Sequence, residues 1–174
     1  MKQGLVHIYT GDGKGKTSSA VGLCTRALGW GKKVLFVQFL KALPTGEVES
    51  LGKLGAQIIR RTQTTKFVFY MNEQEKSDYR KVLNEQFAEA KNLIMSGSYD
   101  LVILDEVLDV IDLGMLEEQE LIFLVSGKPE STELVLTGRR ACDALIEAAH
   151  YHTGFAANKH PFEKGIKARE GIEF

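Results

Sequence analysis

The chain has 174 residues, 44% of them hydrophobic and 26% charged, and 22 Lys and Arg against 23 Asp and Glu give a formal net charge of −1. That balance excludes disorder, a polybasic membrane anchor and a nucleic-acid binder that works through bulk positive charge. A chain of this length buries roughly 70% of its unfolded surface and needs no disulfide or metal staple. The two cysteines, Cys24 and Cys142, lie far apart in no C-x-x-C spacing, as expected in a reducing compartment. No apolar run approaches the roughly 20 residues of a membrane span. Met1-Lys2-Gln3-Gly4 leaves no room for a signal peptide before the first apolar segment, so a cytoplasmic protein is expected.

In chain order, short β-rich runs alternate with stretches of helical period. The expected fold is therefore α/β, a mostly parallel sheet flanked by helices, and the glycine-rich segment Thr10-Gly11-Asp12-Gly13-Lys14-Gly15-Lys16-Thr17 after the first strand points to a P-loop, RecA-like architecture. The first strand is Leu5-Val6-His7-Ile8-Tyr9, followed by a small-residue helix over 16–28 that Gly29 and Gly31 end in left-handed conformations. A second strand covers Val34 to Phe39 and a weaker third Gln57 to Arg60. The best-marked helix runs from Glu73 to Met95. Its apolar positions Tyr79, Val82, Leu83, Phe87, Ala90 and Ile94 form one stripe, Asn72 and Glu75 make a capping box, and Gly97 stops it. Leu101-Val102-Ile103-Leu104 reads as a central strand buried on both faces. Helices over 117–125 and 141–149 flank a strand at Glu133 to Thr137, and a last strand lies around Tyr151 to Ala156. Without repeats or linkers, residues 1–174 are expected to form one domain, with the tail 158–174 packing near the site.

The strongest chemical signal is Thr10-Gly11-Asp12-Gly13-Lys14-Gly15-Lys16-Thr17-Ser18 between an apolar strand and a helix. Alternate glycines let backbone N–H groups turn inward as an anion nest, and the helix adds its positive N-terminal end. Lys16 can reach phosphate oxygens and the Thr17 hydroxyl can ligate Mg²⁺. Thr10 stands where the general G-x-x-x-x-G-K-[ST] pattern has its first glycine. A second signal, the apolar run ending in Asp105-Glu106, sets carboxylates at the edge of the sheet where a phosphate-bound magnesium sits. Thr137-Gly138-Arg139-Arg140 follows another strand and reaches the same edge, where an arginine can bind phosphate or ribose or be a plain surface group.

These segments, with Val34-Leu35-Phe36-Val37-Gln38-Phe39-Leu40-Lys41 and the closing Lys159-His160-Pro161-Phe162-Glu163-Lys164-Gly165-Ile166-Lys167-Ala168, resemble the ATP:corrinoid adenosyltransferases of cobalamin biosynthesis. The resemblance implies transfer of the 5′-deoxyadenosyl group of ATP to Co(I) of a corrinoid, with intact triphosphate as leaving group and no phosphoryl transfer. It implies ATP held in a reversed sense by Thr10, Gly11, Asp12, Gly13, Lys14, Gly15, Lys16, Thr17 and Ser18, with Arg139 and Arg26 on the nucleotide. Thr17 and Glu106, supported by Asp105, would hold Mg²⁺ or Mn²⁺, and Lys16 and Glu106 would be the catalytic pair. Phe67 and Phe69, two apart in an extended segment and so pointing the same way, would displace the lower axial ligand of a Co(II) corrinoid. Some relatives have tryptophan at the second position. The resemblance also implies a homodimer and a flavoprotein electron donor. Some relatives carry an N-terminal extension over the corrinoid; this chain starts at its first strand, leaving the tail or a partner subunit as cover.

Plainer readings stand beside these. Phe67 and Phe69 can be ordinary core aromatics. His150, His152 and His160 invite a zinc site but no cysteine or carboxylate falls at a matching spacing. His7 reads as a hydrogen-bonded core histidine, Cys24 as a small hydrophobe and Glu117-Glu118-Gln119-Glu120 as a solvated helix start. The alternative functions are a P-loop kinase or NTPase acting on the γ-phosphate, and a nucleotide-gated binding protein whose two phenylalanines meet a protein partner.

Overall fold

Strands that are apolar at every position can be buried only between two helical layers, and the chain uses them so. In the computed structural model the described residues are 3–62 and 64–174, so Met1, Lys2 and Gln63 lie outside them, as does the side chain of Phe162 in the tail motif. The strands are β1 (Val6–Thr10), β2 (Val34–Gln38), β3 (Gln57–Ile59), β4 (Leu101–Asp105), β5 (Glu133–Thr137) and β6 (Tyr151–Gly154). The helices are α1 (Lys16–Gly29), α2 (Gly46–Lys53), α3 (Glu73–Met95), α4 (Val107–Asp112), α5 (Glu118–Gly127) and α6 (Asp143–Ala148). All strand pairs are parallel, in the order β3-β2-β4-β5-β1-β6.

The period of two along the strands sorts the core into two layers. Leu35, Val37, Val102, Leu104, Leu134 and Leu136 pack with the stripes of α3, α5 and α6. Val34, Phe36, Leu101, Ile103 and Val135 face the other way, onto Ala20 and Cys24 of α1 and Leu51 of α2. Because every strand runs the same way, the loops after β1, β2, β3, β4 and β5 all open at the carboxyl edge. At the exit of β5 the chain passes so close to α4 that a Cβ on Gly138 would lie 2.5 Å from Leu108 Cβ and 2.9 Å from the Asp109 nitrogen.

The capping box at Asn72 forms as expected: its side chain accepts from the Glu75 N–H at 2.9 Å, and the Glu75 carboxylate accepts from the Asn72 N–H at 2.7 Å. Gly31 and Gly97 take left-handed conformations, but Gly29 is the last helical residue of α1 and Trp30 is its C-cap. Two helices have no counterpart in the sequence reading. The α2 helix is eight residues long with only Leu51 buried, and α4 is six residues long, so neither displays a readable apolar period. The extended segment expected at Phe67 to Tyr70 is instead a 3₁₀ turn, Val68–Tyr70. Another such turn, Pro161–Lys164, lies in the tail.

Replacing Asn72 by Ala removes the acceptor for the Glu75 N–H. The variant is expected to lose about 1 kcal/mol in urea unfolding with an unchanged m-value.

Candidate functional site

Four neighbouring strands end in buried polar residues at the carboxyl edge: Gln38 on β2, Asp105 on β4, Thr137 on β5 and Thr10 on β1. A polar group there survives burial only with partners. The fully buried Asp105 collects most of them. Its Oδ1 accepts from the Thr17 hydroxyl at 2.9 Å and the Thr137 hydroxyl at 2.8 Å. Its Oδ2 accepts from Gln38 Nε2 at 3.4 Å and Lys41 Nζ at 3.3 Å. Thr137 also accepts the Glu106 N–H at 2.8 Å, which fixes the turn where Glu106 takes the left-handed φ of 64°. Thr10 pairs with His152 Nε2 at 2.8 Å.

The phosphate loop is threaded through backbone contacts that only glycine permits. The Gly11 N–H donates to the Arg139 carbonyl at 3.0 Å and the Gly13 N–H to the Phe155 carbonyl at 2.8 Å. Gly11 has a φ of 117° and a Cβ there would lie 2.2 Å from the Phe155 oxygen; Gly15 has a φ of 131° over the Phe155 ring. Two of the three glycines thus spend their amides on neighbouring backbone rather than on an inward nest, correcting the expected role of Gly11 and Gly13. What remains for an anion is the start of α1, whose first N–H groups have no intrahelical acceptor and whose N-cap, Gly15, supplies no side-chain cap. Lys16 Nζ folds over the loop and donates to the carbonyls of Gly11 at 2.5 Å and Gly13 at 3.0 Å.

The charges are close enough to shift one another. Burial pulls the Lys16 ammonium below the usual lysine range, and Arg139 pushes it the same way against Asp109. Burial also disfavours charge on Lys41, but Asp105, Glu106 and Glu47 outweigh it and raise its affinity for the proton. Glu106, beside Asp105 in a low-dielectric turn, is pushed up to about 7 by burial first and by the Asp105 charge second. Burial likewise raises Asp109, whose Oδ1 accepts the Arg139 N–H at 2.9 Å.

Of the residues expected at the site, Thr10, Lys16, Thr17, Asp105, Glu106 and Arg139 converge at this edge. Of the two carboxylates, it is Asp105 that accepts the Thr17 hydroxyl, at 2.9 Å. Lys14 points to the tail, where Nζ donates to Glu173 Oε1 at 2.8 Å and the Ile172 carbonyl at 3.2 Å. Arg169 first and Lys14 second hold the Glu173 carboxyl down to about 2. Asp12 accepts the Ala157 N–H at 3.2 Å, and Ser18 is exposed on the first turn of α1. Arg26 is not brought to the loop: it is exposed in the last turn of α1, about 15 Å along the helix axis from Lys16.

Phe67 and Phe69 are not core aromatics. They are 66% and 69% exposed, and their rings stack at 5.5 Å and 15° although the turn is 3₁₀ rather than extended. Tyr70 packs on Phe69 at 4.3 Å. The turn lies between the end of β3 and the start of α3, hence at the same carboxyl edge as the loop. His7 Nε2 donates to the Glu133 carboxylate at 2.5 Å and its ring stacks on Tyr151, and His150 Nδ1 accepts the Val6 N–H at 3.1 Å. Cys24 is fully buried, with its thiol pushed up to about 12 by desolvation, which makes it inert.

Gln38, Lys41, Glu47 and Thr137 are the site residues that motif reading missed. Gln38 and Thr137 carried a usable signal: a polar residue at the carboxyl end of an apolar strand is the same pattern that flagged Asp105. Glu47 had none, because it sits on the short α2 and reaches the site only through Gln38 Nε2 at 2.9 Å and Lys41 Nζ at 3.3 Å.

The donor set, a threonine hydroxyl and carboxylates, consists of hard oxygens and suits Mg²⁺ or Mn²⁺. Among the described residues no group of three or more His, Cys, Asp or Glu side chains is placed to hold a metal ion. Thr17, Asp105 and Glu106 offer fewer oxygens than the octahedral shell of Mg²⁺ takes, and water or nucleotide phosphates can supply the rest.

The raised Glu106 carboxyl has a measurable consequence. The fold favours its protonated form, so stability falls as pH climbs from about 4.5 to about 7 and the group ionises. Without nucleotide or divalent ions, Glu106→Gln is expected to melt above the parent at pH 8, by on the order of 1 kcal/mol, and level with it near pH 4.5. A gap that does not change with pH would contradict the assignment.

Comparison with known proteins assigns the chain to a family. The family model for ATP:corrinoid adenosyltransferase BtuR/CobO/CobP matches residues 2–174. The corrinoid adenosyltransferase of Escherichia coli is 32% identical over 174 residues, covering 99% of this chain and 87% of that protein. That of Pseudomonas aeruginosa is 34% identical, with 99% and 85% covered. The corrinoid adenosyltransferase CobA of Salmonella typhimurium is 29% identical, with 99% and 87% covered. The phosphate loop and the Asp105 cluster thus belong to a chain matched nearly end to end, and the protein is a member of the ATP:corrinoid adenosyltransferase BtuR/CobO/CobP family.

Proposed function

We propose that this enzyme transfers the 5′-deoxyadenosyl group of ATP to the cobalt of a reduced corrinoid, in cobalamin metabolism, and releases triphosphate. The observation that carries the reading is the shared edge: one end of the sheet holds cationic and oxygen groups suited to a triphosphate, and the loop after β3 on that edge presents a stacked aromatic pair to solvent. A kinase has use for the first feature and none for the second.

Co(I) of the corrinoid supplies the electron pair of the new cobalt–carbon bond, and the C5′–O5′ pair leaves with the triphosphate. No proton moves, so no side-chain base is needed. The protein's task is to hold the triphosphate and stabilise charge growing on it. Lys16 exchanges the carbonyls of Gly11 and Gly13 for phosphate oxygens, the open amides at the start of α1 bind the same anion, and Arg139 reaches it from β5. Thr10, Gly11, Asp12, Gly13, Lys14, Gly15 and Ser18 shape the loop around the phosphates. Thr17 and Asp105, with Glu106, would hold Mg²⁺ or Mn²⁺, which supplies further positive charge to the departing triphosphate. Glu106 and Lys16 are the closest charged neighbours of the reacting phosphate chain in this reading. Phe67 and Phe69 would meet the lower face of the corrinoid and keep a ligand off cobalt. We further propose a homodimer that works in the cytoplasm and receives the electron for Co(I) from a flavoprotein.

Incubating the enzyme with ATP and chemically reduced corrinoid under anaerobic conditions should yield a light-sensitive alkylcobalt species and triphosphate. Release of ADP without that species would sink the proposal. Lys16→Ala should abolish turnover. Phe69→Ala should impair reaction from Co(II) under a mild reductant while sparing pre-formed Co(I); equal loss with both would remove the role given to the aromatic pair.

A further inference from the structure

We propose that Lys41 is the protein's own counter-cation for the Thr17 and Asp105 oxygens, and that it gives up those contacts to a divalent metal only when the metal arrives with the nucleotide. The inference rests on the reading of this edge as a metal–nucleotide site and assigns a positioning residue that controls entry to it.

Lys41 Nζ lies 3.4 Å from Thr17 Oγ1, 3.3 Å from Asp105 Oδ2 and 3.3 Å from Glu47 Oε1. The Thr17 hydroxyl has one hydrogen, which goes to Asp105 Oδ1 at 2.9 Å, and Lys41 faces its oxygen. Asp105 Oδ1 also accepts from Thr137, and Oδ2 accepts from both Gln38 Nε2 and Lys41 Nζ. The Thr17 oxygen and both Asp105 oxygens therefore already have a donor. Thr137 and Gln38 are strand residues, held in register opposite Tyr9 and Asp105. Lys41 alone is a cation on a flexible four-carbon stem. Its backbone is pinned, since its carbonyl accepts Arg60 Nε at 2.7 Å, so the ammonium can leave while the Cα stays.

The exchange is asymmetric. A metal arriving alone must shed water, displace an ammonium paired to two carboxylates, and settle for few protein ligands. A metal arriving on a triphosphate brings oxygen ligands, and the same phosphates accept the displaced ammonium, so each charge stays paired. Lys41 thereby excludes bare metal and admits the metal–nucleotide complex.

Equilibrium dialysis against Mn²⁺ without nucleotide separates these states. Lys41→Met is expected to bind Mn²⁺ at least about tenfold more tightly than the parent, whereas Lys41→Arg, which keeps the charge, should bind as weakly as the parent. Lys41→Met should also melt lower than the parent in chelator and recover more on Mn²⁺ addition, because Asp105 and Glu47 regain a cation. Lys41→Gln keeps a neutral donor on the same oxygens and repeats the test if the Met variant does not fold. No gain in Mn²⁺ affinity for Met or Gln overturns the role of Lys41, as does equal gain for Arg. If the parent retains no Mn²⁺ in the presence of ATP, the metal–nucleotide reading itself falls; if it does, and the uncharged variants show no gain alone, only the role of Lys41 falls.

Discussion

The structure is organised by one buried charge. Asp105 sits fully buried at the end of the central strand β4, and an ionised carboxylate in that place survives only if its lone pairs are filled. Each group that fills them comes from a different element: Thr17 from the first turn of α1, Thr137 from β5, Gln38 from β2 and Lys41 from the segment that leads into α2. Satisfying Asp105 therefore sets the phosphate helix against the sheet and fixes the loops on either side. A second tier supports the first, since Gln86 of α3 donates to the Gln38 carbonyl at 2.9 Å and also accepts the Arg61 N–H at 2.9 Å. Fold and site are one hydrogen-bonded object at this edge.

The phosphate loop obeys a different constraint, that of close backbone approach. Phe155, just past β6, donates to the Thr10 carbonyl at 2.8 Å and accepts from Gly13 at 2.8 Å, so the chain after β6 runs directly along the loop. Side chains at Gly11 or Gly13 would collide with that backbone, which is why glycines alternate here. Thr10 fits the same pattern. It needs no left-handed conformation, and its hydroxyl instead ties the loop to His152 on β6.

This distinction explains what the sequence could and could not reveal. Apolar runs and a capping box are local patterns, so six strands, the long α3 and the fold class were legible from β1 to β6. Lys16, Thr17 and Asp105 were legible because a lysine and hydroxyl after a glycine loop, and an acid after an apolar strand, have few other uses. The glycines were recognised but misassigned, because their partner, Phe155, is some 140 positions distant and nothing local to the loop names it. Arg26 entered only through the family resemblance, and ten residues of helix carry its Cα from Lys16 to the last turn of α1. Glu47 and Lys41 become a site only once α2 folds beside β2, and the eight-residue α2 has too short a pattern to announce itself.

The two ends of the carboxyl edge differ in character, as the proposed reaction requires. Near β1, β5 and β4 the groups are charged or hydrogen-bonding and mostly withdrawn from water, where electrostatic stabilisation of a leaving anion is strong. Beyond β3 the stacked Phe67 and Phe69 face solvent, where an apolar, planar ligand can cover them. Alkyl transfer from ATP needs this separation, because the anion must be held where it is stabilised while the nucleophile is kept in surroundings that offer its metal no ligand. A near-neutral chain meets both demands by concentrating Lys16, Lys41 and Arg139 against Asp105, Glu106 and Glu47 at one end, while at the other Lys66 and Glu75 neutralise each other as an ion pair beside the aromatic turn.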